Sequence, residues 1–242
     1  MTKNELIFDG KEKKVFATED PDRVIIHFRD VTLAYNGVKR ARFIGKGEMN
    51  NRISALLLGY LNRNGVDTHF LYQDGERDQV CRKIAIVPLE VTVHNRIAGT
   101  LAVKLGLPDG FRPANTVVDF CYNNDELGDP LVNAHQAVAL GIATYDELAW
   151  MERTALQANA LLQKVFHQAG IELVDIKLEF GRAADTGTLI LSDEISADTC
   201  RLWDEATGER LDKDRFRLDL SDVVASYRNV LERLEKVLKE GA

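Results

Sequence analysis

Apolar and polar residues alternate most regularly in Leu173-Val-Asp-Ile-Lys-Leu-Glu-Phe-Gly181, where Ile176, Leu178 and Phe180 interleave with Asp175, Lys177 and Glu179. A period of two predicts a strand with one apolar face and one charged face. The turn residues Ala183-Ala-Asp-Thr-Gly187, ending in a glycine that can take φ > 0, and the apolar return over 189–195 make this a β-hairpin. Shorter strands are expected at 6–8, 14–16, 24–28, 68–72, 79–87, 89–95 and 116–120. Pro88 has no N–H for a ladder, so it marks an edge or a link between lobes. Apolar stripes at helical spacing predict helices over 46–64, closed by Gly65, over 147–168, closed by Gly170, and over 220–238, with a short one at 101–105. Residues 30–37, ending in Asn-Gly, are expected to be a functional or connecting loop, and 196–203 an irregular loop. The fold class is therefore α+β in two lobes. Residues 1–87 form a β-rich N-terminal lobe, and residues 88–242 a larger α+β lobe that closes on a C-terminal helix.

Composition narrows the function. A hydrophobic fraction of 45% supplies an ample core, and a net charge of −7 argues against general nucleic-acid binding while leaving room for a local basic pocket. Cys81, Cys121 and Cys200 are widely spaced without a CxxC pair, which is neither a zinc site nor a disulfide framework and suits a reducing cytoplasm. No run approaches the ~20 apolar residues needed to span a bilayer. The expectation is a cytoplasmic protein with no membrane partner.

Candidate chemistry clusters on the hairpin. An antiparallel return brings Asp193 beside Glu179, with Lys177 one step along the same face. Two carboxylates and an ammonium suit a Mg²⁺–nucleotide phosphate site, although a solvated strand face of mixed charge has the same pattern. The turn Asp9-Gly-Lys-Glu-Lys13 can lay a tight backbone and two lysines over phosphates, or be an exposed charged turn. Val93-His-Asn-Arg-Ile-Ala-Gly-Thr100 precedes a short helix, where His94, Arg96 and Thr100 can seat an anion or simply cap. Arg201 is placed to fork a phosphate or carboxylate. The acidic residues of the 121–130 loop are ligands or merely solvated.

Several longer strings carry a resemblance. The 173–181 strand, Asp193-Glu-Ile-Ser-Ala-Asp-Thr-Cys-Arg-Leu-Trp203, Leu211-Asp-Lys-Asp-Arg-Phe-Arg217, Lys46-Gly47 with Asn50-Asn51, Val87-Pro-Leu-Glu90 and Gly10-Lys-Glu-Lys13 resemble the SAICAR synthetase (phosphoribosylaminoimidazole-succinocarboxamide synthase) family in one register over nearly the whole chain. The resemblance implies an ATP-dependent amide ligase using ATP and Mg²⁺. It would join the carboxylate of an azole ribonucleotide to the amine of L-aspartate through an acyl phosphate. It implies a nucleotide lobe distantly like kinases and ATP-grasp enzymes, and a homo-oligomer. By resemblance, Gly10, Lys11 and Lys13 meet the ATP phosphates, and the adenine contacts backbone near Arg82–Val87, Arg82 and Ile86 among the residues that hold it. Lys177 lies near the transferring phosphate, and Glu179 and Asp193 hold Mg²⁺. His94, Thr100, Arg201, Arg215 and Asn36 belong to the substrate pocket.

The departures from the family pattern also cluster. His94 stands where an arginine is usual and Thr100 where a serine is usual, at positions that help bind the 5′-phosphate. Val31 replaces an acidic residue, Leu33 a small polar one, Asn123 a lysine and Gly128 a histidine. Histidine is only partly charged near neutral pH, so these changes lean toward a paralogue acting on another azole carboxylate, such as one in nucleoside-antibiotic biosynthesis. The alternatives are the housekeeping enzyme of purine biosynthesis and, from another class, a small-molecule kinase.

Overall fold

The structure, a computed structural model, describes residues 1–34 and 38–240, with Glu240 by its backbone alone. In chain order the elements are β1 (Leu6–Asp9), β2 (Lys13–Ala17), β3 (Arg23–Phe28), β4 (Val31–Ala34), β5 (Lys39–Arg42), α1 (Lys46–Arg63), β6 (Phe70–Gln73), β7 (Asp78–Arg82), β8 (Ile84–His94), α2 (Gly99–Leu105), β9 (Val117–Tyr122), α3 (Ala134–Ala139), α4 (Tyr145–Gln168), β10 (Ile171–Ala183), β11 (Leu189–Ser192), β12 (Cys200–Asp204), α5 (Asp214–Arg217) and α6 (Val223–Glu240). The fold is α+β. One five-stranded sheet has the order β1-β2-β3-β7-β6, and a second runs β11-β10-β8-β9 with β12 also on β10.

The second sheet positions the site, and its two faces follow from period-two sequence. Val87, Leu89, Val91 and Val93 of β8 and Ile176, Leu178 and Phe180 of β10 are fully buried on one face. On that side α4 covers the sheet with Leu148, Met151, Ala155, Leu162 and Phe166, and the Trp150 ring meets Phe180 edge-on. The first turn of α4 is fixed by a capping box, in which Thr144 and Glu147 satisfy each other's backbone amides. Helix α6 packs on α1 and α4, so the apolar stripes of all three long helices meet in one core. The alternate positions Glu90, Thr92 and His94 of β8 and Asp175, Lys177 and Glu179 of β10 are polar.

Three expectations are corrected here. Residues 31–34 are not loop but pair with 39–42 as the β4–β5 hairpin, because Thr32 and Ala34 are buried at alternate positions. The 196–203 segment is only partly irregular. From Cys200 it becomes β12, with Cys200 and Leu202 buried and Arg201 between them. Pro88 interrupts the ladder without ending the strand, since β8 pairs with β10 on both sides of the interruption and with β9 from Leu89 onward. Glu90 opposes Glu179 and Val87 opposes Phe180, so Pro88 and Leu89 are two extra residues in a bulge where β10 asks no N–H of proline. The Pro88 carbonyl accepts from Asn123 N at 3.1 Å. Helix α3, capped by a reciprocal Asn133–Gln136 pair, was not anticipated.

Candidate active site

The polar face of the β9-β8-β10-β12 strands is the floor of a cavity of about 280 Å³. Its side chains stand in register: Glu90 opposite Glu179, Thr92 opposite Lys177, and His94 opposite Asp175. Asp119 and Cys121 extend the floor from β9, Arg201 from β12, and Thr100 and Lys104 wall it from α2. A broader depression of about 620 Å³, beside Phe43 and the start of α6, contains none of the residues selected from sequence.

At one end of the stripe stand the acids. Ser192 pairs with Glu179, so Asp193 is the next residue out, held at φ 63°, a left-handed conformation that aspartate tolerates better than most residues. Lys13, from β2, bonds Asp193 and lies 2.9 Å from Glu194. Burial and then the neighbouring Asp193 charge push the Glu179 carboxyl up to about 7. Burial would also raise Asp193, but the Lys13 ammonium outweighs it and holds this carboxyl below its ordinary value. Lys177 donates to Glu90 Oε2 at 2.5 Å, and Asn123 donates to Glu179 Oε1 at 3.2 Å. The donor set fits a divalent cation: two hard carboxylate ligands lie close enough to disfavour each other's ionisation, which bound Mg²⁺ would relieve.

The other residues expected to hold nucleotide separate into two groups. Gly10 has the right surroundings, because a Cβ there would collide with the Phe8 ring and the Lys13 carbonyl. Lys11 turns to the far side of the opening and pairs at 2.5 Å with Asp125, both largely exposed. The Arg82 guanidinium is engaged by Asp185 at 2.7 Å and Asp67 at 3.2 Å. Ile86 is 58% exposed, and β9 pairs with β8 only from Leu89 onward, so no named strand covers that edge of β8 at 84–87 among the described residues.

Behind the acid end, carboxylate oxygens of Glu12, Glu194 and Asp198 fall within 4.8 Å of one another. Each already has its own ammonium: Lys213 at 2.7 Å from Glu12, Lys13 on Glu194, and the buried Lys46 on Asp198. Tyr227 of α6 also donates to Asp198 at 2.7 Å, and Asn50 at 2.6 Å. This network reads as a charge-balanced anchor that ties the 193–199 segment to α1 and α6.

At the opposite end, His94 is 6% exposed between two carboxylates, with Nε2 3.3 Å from Asp119 and Nδ1 3.6 Å from Asp175. Burial disfavours the imidazolium, but the two acids outweigh it and carry the pKa to about 9. Arg201 donates to Asp175 at 2.6 Å and Asp214 at 2.9 Å. It packs against Gly99, whose φ of 56° and missing Cβ both matter, because a Cβ would overlap the guanidinium. Thr100 lines the cavity. Arg215 does not reach it: the side chain is buried on Glu209, the Arg210 carbonyl and the Ser221 carbonyl. Asn36 lies outside the described residues. Val31 and Leu33 are not among the residues lining the cavity, whereas Gly128 is.

The sequence profile of the SAICAR synthetase family matches residues 6–234. The chain belongs to the SAICAR synthetase family. It is 46% identical over 236 residues to the phosphoribosylaminoimidazole-succinocarboxamide synthase of Clostridium botulinum (strain Eklund 17B / Type B), covering 98% of this chain and 100% of that one. The crystal structure of the synthase from Ehrlichia chaffeensis superposes with a TM-score of 0.93 at 42% identity, over 96% of this chain and 98% of that one. A SAICAR synthetase solved in complex with ADP gives 0.91 at 41% identity, over 95% and 97%. As a member of this family, the chain is an ATP-dependent carboxylate–amine ligase that uses ATP and Mg²⁺. Among the described residues, no helix is long and apolar enough to cross a membrane.

The lean toward an antibiotic-pathway paralogue is corrected, since end-to-end likeness to these synthases fits the purine-biosynthesis reading better. The physical reason lies at His94. A histidine between two carboxylates keeps the positive charge that the substitution seemed to remove, and the apolar Val31 and Leu33 do not face the cavity. No role was expected for Glu90 and Asp119, yet Glu90-Val-Thr-Val-His94 carried the signal. Its polar members recur every second residue between buried valines, as they do around Lys177.

Proposed function

We propose that this enzyme is the SAICAR synthetase of purine biosynthesis. It joins the carboxylate of carboxyaminoimidazole ribonucleotide to the α-amine of L-aspartate through an acyl phosphate, with ATP cleaved to ADP. The observation that carries the reading is the order of groups along one strand pair: Glu179 and Asp193, then Lys177, then His94 with Arg201. At ~3.4 Å per residue, positions 90 to 94 span roughly 14 Å, a length suited to a substrate with a carboxylate at one end and a phosphate at the other.

In this assignment Glu179 and Asp193 hold Mg²⁺, which neutralises phosphate charge when bound. Lys13 and Lys177 stabilise the phosphoryl group as it moves to the substrate carboxylate, and Gly10 and Lys11 close over the nucleotide. The 84–87 edge of β8 receives the adenine. His94, Thr100 and Arg201 grip the 5′-phosphate. Phosphoryl transfer of this kind depends on positioning and charge neutralisation, so no nucleophilic side chain is required. Residues 1–87 serve as the ATP lobe and 88–242 as the substrate lobe, in a cytoplasmic homo-oligomer.

Incubating the chain with ATP, Mg²⁺ and carboxyaminoimidazole ribonucleotide, with and without aspartate, tests the proposal. Aspartate-dependent ADP release together with an amide product of the expected mass supports it. ADP with a phosphorylated product and no consumption of amine would make the protein a kinase.

A further inference from the structure

Glu90 has no role in the assignment above, yet it stands between the groups that do. It faces Glu179 across the β8–β10 ladder, lines the cavity with its side chain 15% exposed, and gives Oε2 to Lys177. None of the described residues donates to its other oxygen. The remaining cavity carboxylates are differently placed. Asp175 is held by Arg201 and flanked by His94, and Asp198 is held by Lys46, Asn50 and Tyr227. Asp119 stands beside His94, toward the far end of the stripe, and Asp129 accepts from the Asn124 amide at 2.9 Å in its own loop.

The α-amine of aspartate is an ammonium at neutral pH and has no lone pair until it sheds a proton. Resting on the ligase reading, we propose that Glu90 is the proton acceptor for this amine. The nitrogen lone pair then forms the C–N bond, the bond from the acyl carbon to the phosphate oxygen breaks, and that electron pair leaves with inorganic phosphate. The first proton passes to Glu90 and on to solvent, and the second, shed from nitrogen as the C–N bond forms, leaves on the phosphate as HPO4²⁻. Lys177 times the event: while it rests on Glu90 it occupies one of that carboxylate's oxygens, and when it turns to the transferring phosphoryl group it frees Glu90 at the stage when the acyl phosphate exists.

The test separates proton abstraction from the positioning of Lys177. Hydroxylamine captures acyl phosphates with an amine already uncharged at neutral pH. Glu90→Gln is assayed with carboxyaminoimidazole ribonucleotide, ATP and Mg²⁺, using either aspartate or hydroxylamine as the nucleophile. The expected result is an aspartate rate lower by about 10²-fold or more, with hydroxylamine-dependent ADP release retained. The aspartate deficit should shrink as pH rises toward the titration of the free amine, and Glu90→Asp should recover part of the aspartate rate. An equal loss with both nucleophiles overturns the proposal and leaves Glu90 as a support for Lys177. An undiminished aspartate rate overturns it as well. Failure of the underlying ligase reading is distinct, since the unmodified enzyme would then make no amide at all.

Discussion

The two ends of the polar stripe, the His94–Asp175 end lining the cavity and the Glu179–Asp193 pair lying outside its lining residues, hold similar residue types in opposite electrostatic conditions. At the Glu179–Asp193 end, like charges crowd and one carboxyl is pushed up to about 7. At the His94–Asp175 end, cations and anions alternate as Asp119, His94, Asp175, Arg201 and Asp214, and the opposite charges hold His94, Asp175, Arg201 and Asp214 in their charged forms. The first arrangement is poised for a cation to complete it. The second is already balanced, and is therefore rigid before substrate arrives. A site that moves charge at one end while gripping an invariant group at the other has use for both conditions.

The contrast can be broken hardest at the acid end. Asp193→Asn or Lys177→Ala should lower ADP release by about 10³-fold with the fold intact, as read by coupled assay and circular dichroism. Near-normal turnover in either variant would remove the roles given to them. Asp175→Asn should act on the balanced end and on stability together, since it removes one of the two carboxylates that flank each of His94 and Arg201 in a buried site. A loss of about 3 kcal/mol by urea denaturation is expected, with the His94 titration moved down in NMR.

Titration sharpens the comparison further. The Glu179 carboxyl, raised from 4.5 to about 7, costs folding stability above pH 7 and returns it as pH falls through 7. Protons should therefore compete with Mg²⁺ below pH 7, weakening metal affinity in calorimetric titrations. His94, raised from 6.5 to about 9, contributes stability that is fully present below pH 6.5 and is lost as pH rises through 9. Affinity for the ribonucleotide should thus hold from pH 7 to pH 9 and fall beyond it. A fall centred near 6.5 would contradict the flanking-acid account. The smallest effect belongs to His94→Arg, which should change kcat/KM near neutral pH by no more than about threefold while abolishing the alkaline fall.

Much of this was legible in the sequence, for a physical reason. Where one face of an element is buried, periodicity reports it, as in β10, α1, α4 and α6, and the hairpin that brings Asp193 to Glu179 followed from that period and a glycine turn. The misses came where local pattern was short or overruled. Residues 31–34 and 200–204 have too few positions for alternation to stand out. Pro88 reads as an edge until the partner strand shows a bulge that asks nothing of it. Arg215 looked available because charge density says nothing about which carbonyls will surround a guanidinium. His94 was misjudged because the ring was weighed by its ordinary titration, whereas its neighbours come from β9 and β10, distant in sequence.

The two-residue bulge at Pro88-Leu89 has one more consequence, concerning parity. An even excess leaves inward and outward positions of β8 in phase on both sides of the bulge, which is why Val87 and Val91 share the core face while Glu90 and His94 share the cavity face. Deleting a single residue there would turn the rest of the strand inside out against the segment before it, offering valines to the substrate and a histidine to the core, unless the pairing with β10 slipped to compensate. Along this strand, insertions and deletions are expected to be tolerated only in twos.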